Sequence, residues 1–162
     1  MNRSQDMRAN PPKPQAHWIT LFTLALAVLF AFGAWQGKTK EWEITVYKTP
    51  TCGCCKKWID HLDDNGFLVH AIDLNDLSLV KDEQGLPPET RACHTAIVEG
   101  YVVEGHVPAE DIKQMLAARL DIRGLVVPGM PLGSPGMEER RRESYAVLAL
   151  TNDGPTSVFA QH

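Results

Sequence analysis

The chain has 162 residues, four of them cysteine, and a formal net charge of −4. At 44% hydrophobic and 22% charged residues, it holds apolar material for about one packed domain, which excludes wholesale disorder. The acidic balance excludes a nucleic-acid binder built on a basic face. Four cysteines are too few for a disulfide-dense mini-protein.

Residues 1–17 are polar and hold Pro11, Pro12 and Pro14, so a flexible tail is expected there. Residues 18–35 (WITLFTLALAVLFAFGAW) follow without a charge. As a helix this run would be about 27 Å long, enough for a bilayer core. Trp18 and Trp35 stand at its ends, as an aromatic belt would place them. Arg3, Arg8 and Lys13 against the single Asp6 make a basic lead-in. The run reads as an N-terminal hydrophobic helix, either a signal anchor or a signal peptide with a small-x-small site at Ala31-Phe32-Gly33. Its length and the position of Trp35 favour the anchor. A buried core helix fits less well, because a run apolar on every face has no side to show water. Either way the following domain, residues 36–162, is expected outside the cytoplasm. Residues 1–35 carry three of the 16 basic and one of the 20 acidic residues, which leaves that domain near −6. It has no polybasic surface for nucleic acid or anionic lipid.

The domain reads as alternating strand and helix. Residues 43–48 (EITVYK) alternate and are β-rich, a strand broken by Thr49-Pro50. Residues 56–65 read as a short helix with Trp58, Ile59 and Leu62 on one face, ended by Asn65-Gly66. Residues 67–74 (FLVHAIDL) form a second strand. Asp76 caps a helix over 77–84, stopped by Gly85 and Pro87-Pro88. Residues 95–98 and 101–104 flank Glu99-Gly100 as a hairpin. Pro108 opens a helix that runs to about Leu120. The order β-α-β-α-β-β-α is a thioredoxin-like arrangement in the α/β class. Residues 124–136 are expected as a Pro/Gly loop and 138–142 as a solvated charge run. Residues 145–150 and 156–160 are expected as a terminal β-hairpin.

The chemistry lies in Cys52-Gly53-Cys54-Cys55, between the first strand and the first helix. Cys52 and Cys55 form a C-x-x-C pair where the helix N-terminus favours a thiolate. Lys56 and Lys57 add positive charge, and Cys54 is a third thiol inside the pair. Cys93 precedes the third strand, which a thioredoxin-like fold places beside the C-x-x-C turn. A proline normally stands there, but here Thr95 is followed by Ala96. The four thiols in one pocket are soft ligands suited to Cu(I), zinc or an iron–sulfur centre. One tetrahedral zinc usually draws on two spaced pairs. Adjacent Cys54 and Cys55 point apart and suit different ions, so C-x-C-C favours a multinuclear Cu(I)–thiolate site. The alternative is a pair of disulfides, for which four cysteines allow three pairings. Crowding within C-x-C-C argues against pairing inside the cluster.

Thioether and imidazole candidates surround these thiols. Pro128-Gly129-Met130 recurs seven residues later as Pro135-Gly136-Met137. Met130 and Met137 are soft ligands that suit Cu(I), or loop residues that fill gaps. His94 adjoins Cys93 as a ligand or as a donor behind one. His106 precedes the Pro108 helix and is structural or metal-binding. His61 and His70 read as surface residues, and His162 as terminal and mobile.

Tyr47-Lys48-Thr49-Pro50-Thr51 with the C-x-C-C run, Cys93-His94-Thr95, Gly100-Tyr101 with Glu104-Gly105-His106-Val107-Pro108, and the two Pro-Gly-Met blocks together resemble one bacterial family. This is the small exported CGCC-type metal-binding proteins, long catalogued as a domain of unknown function and linked to copper resistance. The resemblance covers about residues 43–138. It implies a thioredoxin-like fold, a periplasmic setting and copper bound by Cys52, Cys54, Cys55 and Cys93. Met130, Met137, His94 and His106 are further candidate ligands. The expected function is a binding protein that holds Cu(I) outside the cytoplasm and passes it to an efflux or oxidase partner, anchored to the inner membrane through residues 18–35. The alternative is a thiol–disulfide or copper oxidoreductase with Cys52 as nucleophile and Cys55 resolving. A monomer is expected.

Overall fold

The computed structural model describes residues 42–139, 141–152 and 157–162. The expected tail (1–17) and hydrophobic helix (18–35) lie outside the described residues. Among the described residues, no helix is long and apolar enough to cross a membrane.

Among the described residues, seven strands form one mixed sheet in the order β2-β1-β3-β4-β5-β6-β7. They are β1 (Trp42–Lys48), β2 (Phe67–Asp73), β3 (His94–Val98), β4 (Tyr101–Glu104), β5 (Gly124–Val126), β6 (Ala146–Leu150) and β7 (Ser157–Gln161). Strand β1 runs parallel to β2 and antiparallel to β3. Strands β3 and β4 are the expected hairpin, turned through Glu99 (φ 49°) and Gly100 (φ 85°). Among the described residues there are three helices, α1 (Gly53–Asp64), α2 (Ser78–Glu83) and α3 (Ala109–Ala118), with a 3-10 turn at Pro88–Thr90. From β1 to α3 the elements follow the expected order.

Alternation along the strands divides the interior. Ile44, Val46, Ala96, Val98, Val103, Leu125 and Ala149 pack against Trp58 and Leu62 of α1 and Ile112 and Met115 of α3. Intervening residues Val102, Val126 and Leu150 pack on the opposite face beneath Leu86, in the segment after α2. Period-two placement of side chains makes this division.

Four expectations change. Helix α1 starts at Gly53 rather than at 56, so the cysteines occupy its first turn. Gly and Cys are weak helix formers, and the capping group is the Cys52 sulfur, which accepts from the Cys55 N–H at 3.3 Å. Residues 124–126 are a strand and not the start of the loop, since three residues are too few to display alternation. That strand runs parallel to β4 and antiparallel to β6, so the terminal hairpin β6–β7 extends the main sheet. Its 153–156 connection lies outside the described residues. His162 is held: its Nε2 lies 2.8 Å from Oδ2 of the buried Asp111, and its ring stacks on Tyr145. His61 is half-buried, not a plain surface residue, and its Nε2 accepts the Ala109 N–H at 3.1 Å, at the start of α3. His70 is exposed, as are Glu138, Glu139, Arg141 and Arg142 of the charge run.

Gly124 makes the inserted strand possible. A Cβ there would fall 1.7 Å from the Val102 carbonyl oxygen. Gly124→Ala must therefore push β5 off β4, at a cost of about 1–3 kcal/mol by analogy with overpacked cores. The expected result is a lowered midpoint in chemical or thermal unfolding followed by circular dichroism.

Candidate metal centre

The site is built where β1 hands over to α1. Lys48 closes β1 opposite His94 in β3 and pairs with Asp73 in β2. The chain turns through Thr49-Pro50, with the Cys52 N–H donating to the Thr49 carbonyl at 3.2 Å. Cys54 and Cys55 then lie in the first turn of α1, and Cys55 is fully buried.

Cys52 and Cys55 are joined by a disulfide, with Cα atoms 5.3 Å apart. This corrects the expectation that crowding disfavours pairing inside the cluster. One helical turn brings residues three apart together, and their Cα separation suits a disulfide. Cys54 and Cys93 are free thiols, so the alternative of two disulfides is not what the structure holds. Cys54 Sγ lies 3.6 Å from Cys52 Sγ and 4.0 Å from Cys93 Sγ. Cys55 Sγ lies 3.8 Å from the Cys93 carbonyl oxygen. In the disulfide that sulfur carries no proton, so this approach is a contact and not a hydrogen bond.

The imidazoles close the other side. Cys93 Sγ is 3.3 Å from His94 Nδ1 and 3.2 Å from His106 Nε2. His106 Nδ1 is 2.7 Å from the Pro135 carbonyl oxygen. A carbonyl only accepts, so Nδ1 carries the proton and Nε2 presents a lone pair to Cys93. His94 is fully buried, and its ring lies 4.3 Å from that of Trp58 and edge-on to His106 at 5.1 Å. Its Nε2 has no hydrogen-bond partner among the described residues. An orphaned buried nitrogen costs about 1–3 kcal/mol, which is explained if the site is shaped for something besides folding.

Electrostatics agree. Burial pushes the His94 pKa down to about 3, helped by the neighbouring His106 and Lys81 charges. Burial also lowers His106, against the Pro135 bond and Glu138. Both rings are thus neutral at physiological pH, the form that binds metal. Burial, and then the charge of Cys54, push the Cys93 thiol up to about 12. A metal ion would supply the positive charge that a Cys93 thiolate lacks.

Among the described residues, two sets of side chains bring ligand atoms within 4.8 Å of one another: Cys52, Cys54, Cys55 and Cys93, and Cys93, His94 and His106. Two sulfurs tetrahedrally bound to one ion at about 2.3 Å lie about 3.8 Å apart, close to the separations here. The six residues therefore fit a soft metal once the disulfide is reduced. Of the methionines, Met130 is 50% exposed and Met137 is partly buried just after Gly136. That loop lies on the site: a Cβ on Gly136, where φ is +84°, would fall 2.7 Å from the Cys54 carbonyl oxygen and 3.3 Å from His106 Nδ1.

Sequence reading overlooked the groups behind Cys93. Glu104 and Thr95 are fully buried and bonded to Lys81 of α2. The available signal was a carboxylate at the end of the otherwise apolar strand 101–104.

The depressed His94 pKa has a pH signature. Unfolded, the ring takes up a proton as pH falls below its ordinary value near 6.5; folded, it stays neutral until about 3. Stability from this group is present above 6.5 and is lost between 6.5 and 3, by an amount on the order of 4 kcal/mol. Metal-free protein should thus unfold more readily across that interval, and His94→Phe should flatten the slope in urea titrations at stepped pH.

Residues 90–137 match the model of a family described as a protein of unknown function, DUF411. Among curated proteins, none matches the chain. Two solved structures described as copper resistance protein copG, form 2 and form 1, are each 47% identical to it. The first covers 76% of this chain and 99% of its own, with a TM-score of 0.72. The second covers 76% and 98%, with a TM-score of 0.71. With that identity over nearly the whole of both relatives, the chain belongs to the DUF411 family, as a relative of copper resistance proteins.

Proposed function

We propose that this chain binds copper as Cu(I), in a multinuclear thiolate site, and serves copper resistance outside the cytoplasm. The observation that carries the reading is the double membership of Cys93, which belongs to both the four-sulfur group and the Cys93–His94–His106 group. A thiolate shared by two ligand sets is what bridging between two ions requires. Soft sulfur with neutral imidazole suits Cu(I), and the names of the two relatives support copper over zinc or an iron–sulfur cluster. Met130 and Met137 are candidate outer ligands in the loop that lies on the site.

The unit from β1 to α3 is read as thioredoxin-like. The apolar run 18–35 and its basic lead-in support export or anchoring at the inner membrane, with residues 36–162 in the periplasm. Copper held there would pass to an efflux or oxidase partner by exchange of thiolate ligands.

The Cys52–Cys55 disulfide favours a second reading, copper redox chemistry. Two Cu(II) ions oxidise the dithiol to the disulfide, yielding two Cu(I) and two protons; the reverse reaction reduces the disulfide at the expense of two Cu(I). Cys52, at the helix start, is the more accessible sulfur, and Cys55 is buried.

Full-length protein, reduced and loaded anaerobically with Cu(I), is expected to retain more than one copper per chain after desalting. Cys93→Ser should lower that ratio to one or less, because the bridge is gone. Zinc or iron retained in place of copper, or no metal retained alongside facile dithiol–disulfide cycling, would move the assignment to the other readings.

A further inference from the structure

Cys93 lies in a bend, one residue before β3 begins. No strand or helix of its own holds it, yet it is the residue that both ligand groups share. What fixes it lies on the opposite face of the sheet from Trp58.

Glu104 ends β4 with no exposed surface. Its Oε1 accepts the backbone N–H of Ala92, the residue before Cys93, at 2.5 Å. Its Oε2 accepts the Thr95 hydroxyl, two residues after Cys93, at 2.6 Å. One carboxylate thus grips the chain on both sides of the thiol. The main chain repeats the clamp, since the Gly105 N–H donates to the His94 carbonyl at 3.2 Å. Lys81 of α2 completes the group: its Nζ bonds to Glu104 Oε1 and, at 2.9 Å, to Thr95 Oγ1. The Lys81 and Glu104 side chains are 8% and 0% exposed.

A buried ion pair is weak evidence of stabilisation, because desolvating two charges offsets most of their attraction. An apolar pair of similar volume would serve packing as well. It would not hold both Ala92 and Thr95, because only a carboxylate offers two acceptor oxygens in that geometry. The pair therefore suits a positional task.

We propose that Glu104, neutralised by Lys81, is a positioning residue that sets where the Cys93 sulfur stands and thereby lets one thiolate bridge the two ligand groups. This rests on the multinuclear copper reading above. It also links α2, which contributes no thiol or imidazole to the site, to the metal ligands through Lys81.

The test uses the full chain and three variants. Thr95→Val removes the grip after Cys93 and leaves the ion pair in place. Glu104→Gln leaves one acceptor oxygen and strands the Lys81 charge. Lys81→Met with Glu104→Gln removes both charges together and still leaves one acceptor. Stability is read by thermal unfolding of metal-free protein. Position is read in two ways: Cu(I) affinity by competition with a chelator, and the alkylation rate of Cys93 relative to Cys54 in metal-free protein, by mass spectrometry.

The double variant should keep near-wild-type unfolding, whereas Thr95→Val, which takes a partner from the buried Glu104 Oε2 and Lys81 Nζ, should unfold at a lower temperature. Both should bind Cu(I) about 10–100-fold more weakly, the range for losing a group that orients a metal ligand, and Cys93 should alkylate faster relative to Cys54. Glu104→Gln alone should lose stability as well, and the double variant should recover that stability without recovering affinity. Unchanged affinity and unchanged relative alkylation in both Thr95→Val and the double variant would overturn the proposal. If the wild-type chain binds no copper, the function assigned above fails, and the alkylation ratio alone decides whether Glu104 positions Cys93.

Discussion

Trp58 joins the core to the site. Its fully buried indole packs with the sheet and α3, and its one polar atom donates to the Val107 carbonyl at 2.8 Å. The same ring lies against His94, and its backbone nitrogen lies where only a glycine at position 136 can approach. Helix α1, the start of β3 and the 128–137 loop therefore converge on one residue. Because its N–H is committed to the segment before α3, the ring cannot turn without leaving a buried donor unpaired. The cysteines inherit that rigidity, since Cys54 and Cys55 precede Trp58 on the same helix.

Around this post the site holds two kinds of strain that folding alone does not account for. One is the unpartnered nitrogen of His94; the other is a buried thiol whose ionisation is opposed by its surroundings. A soft cation held as proposed would support the negative charge of the second and take the lone pair of His94 Nδ1, the nitrogen that faces Cys93, leaving Nε2 as it stands. The disulfide works the other way. It satisfies Cys52 and Cys55 covalently and withdraws two sulfurs from the ligand set. With the proposed ligand set, metal loading and disulfide formation would draw on the same atoms, so the redox state of the surroundings would govern how much metal the chain could hold.

Much of this was legible in the sequence because the relevant signals are local. The C-x-C-C spacing, Cys93 beside a strand and the Glu99-Gly100 turn each depend on a few neighbouring residues. The start of α1 was misplaced because Gly53 and two cysteines have poor helix propensity, and because a sulfur is not among the usual capping groups. Strand β5 is defined by its partners in β4 and β6 and not by any pattern in three residues. The C-x-x-C spacing marked Cys52 and Cys55 as a pair, and crowding by Cys54 was given too much weight, since its sulfur stands aside at 3.6 Å from Cys52 Sγ. Lys81 and Glu104 are 23 residues apart, and nothing in either segment names the other.

The bond from His106 to Pro135 fixes more than a ring angle. With Nδ1 committed to a carbonyl, the imidazole has a single usable nitrogen and cannot turn its other edge to a second ion. It is a stationary post in a site whose thiols can change partners. If metal is held here as proposed, its traffic would be asymmetric: an ion would reach or leave His106 by moving among sulfurs, while the histidine stays where the loop holds it.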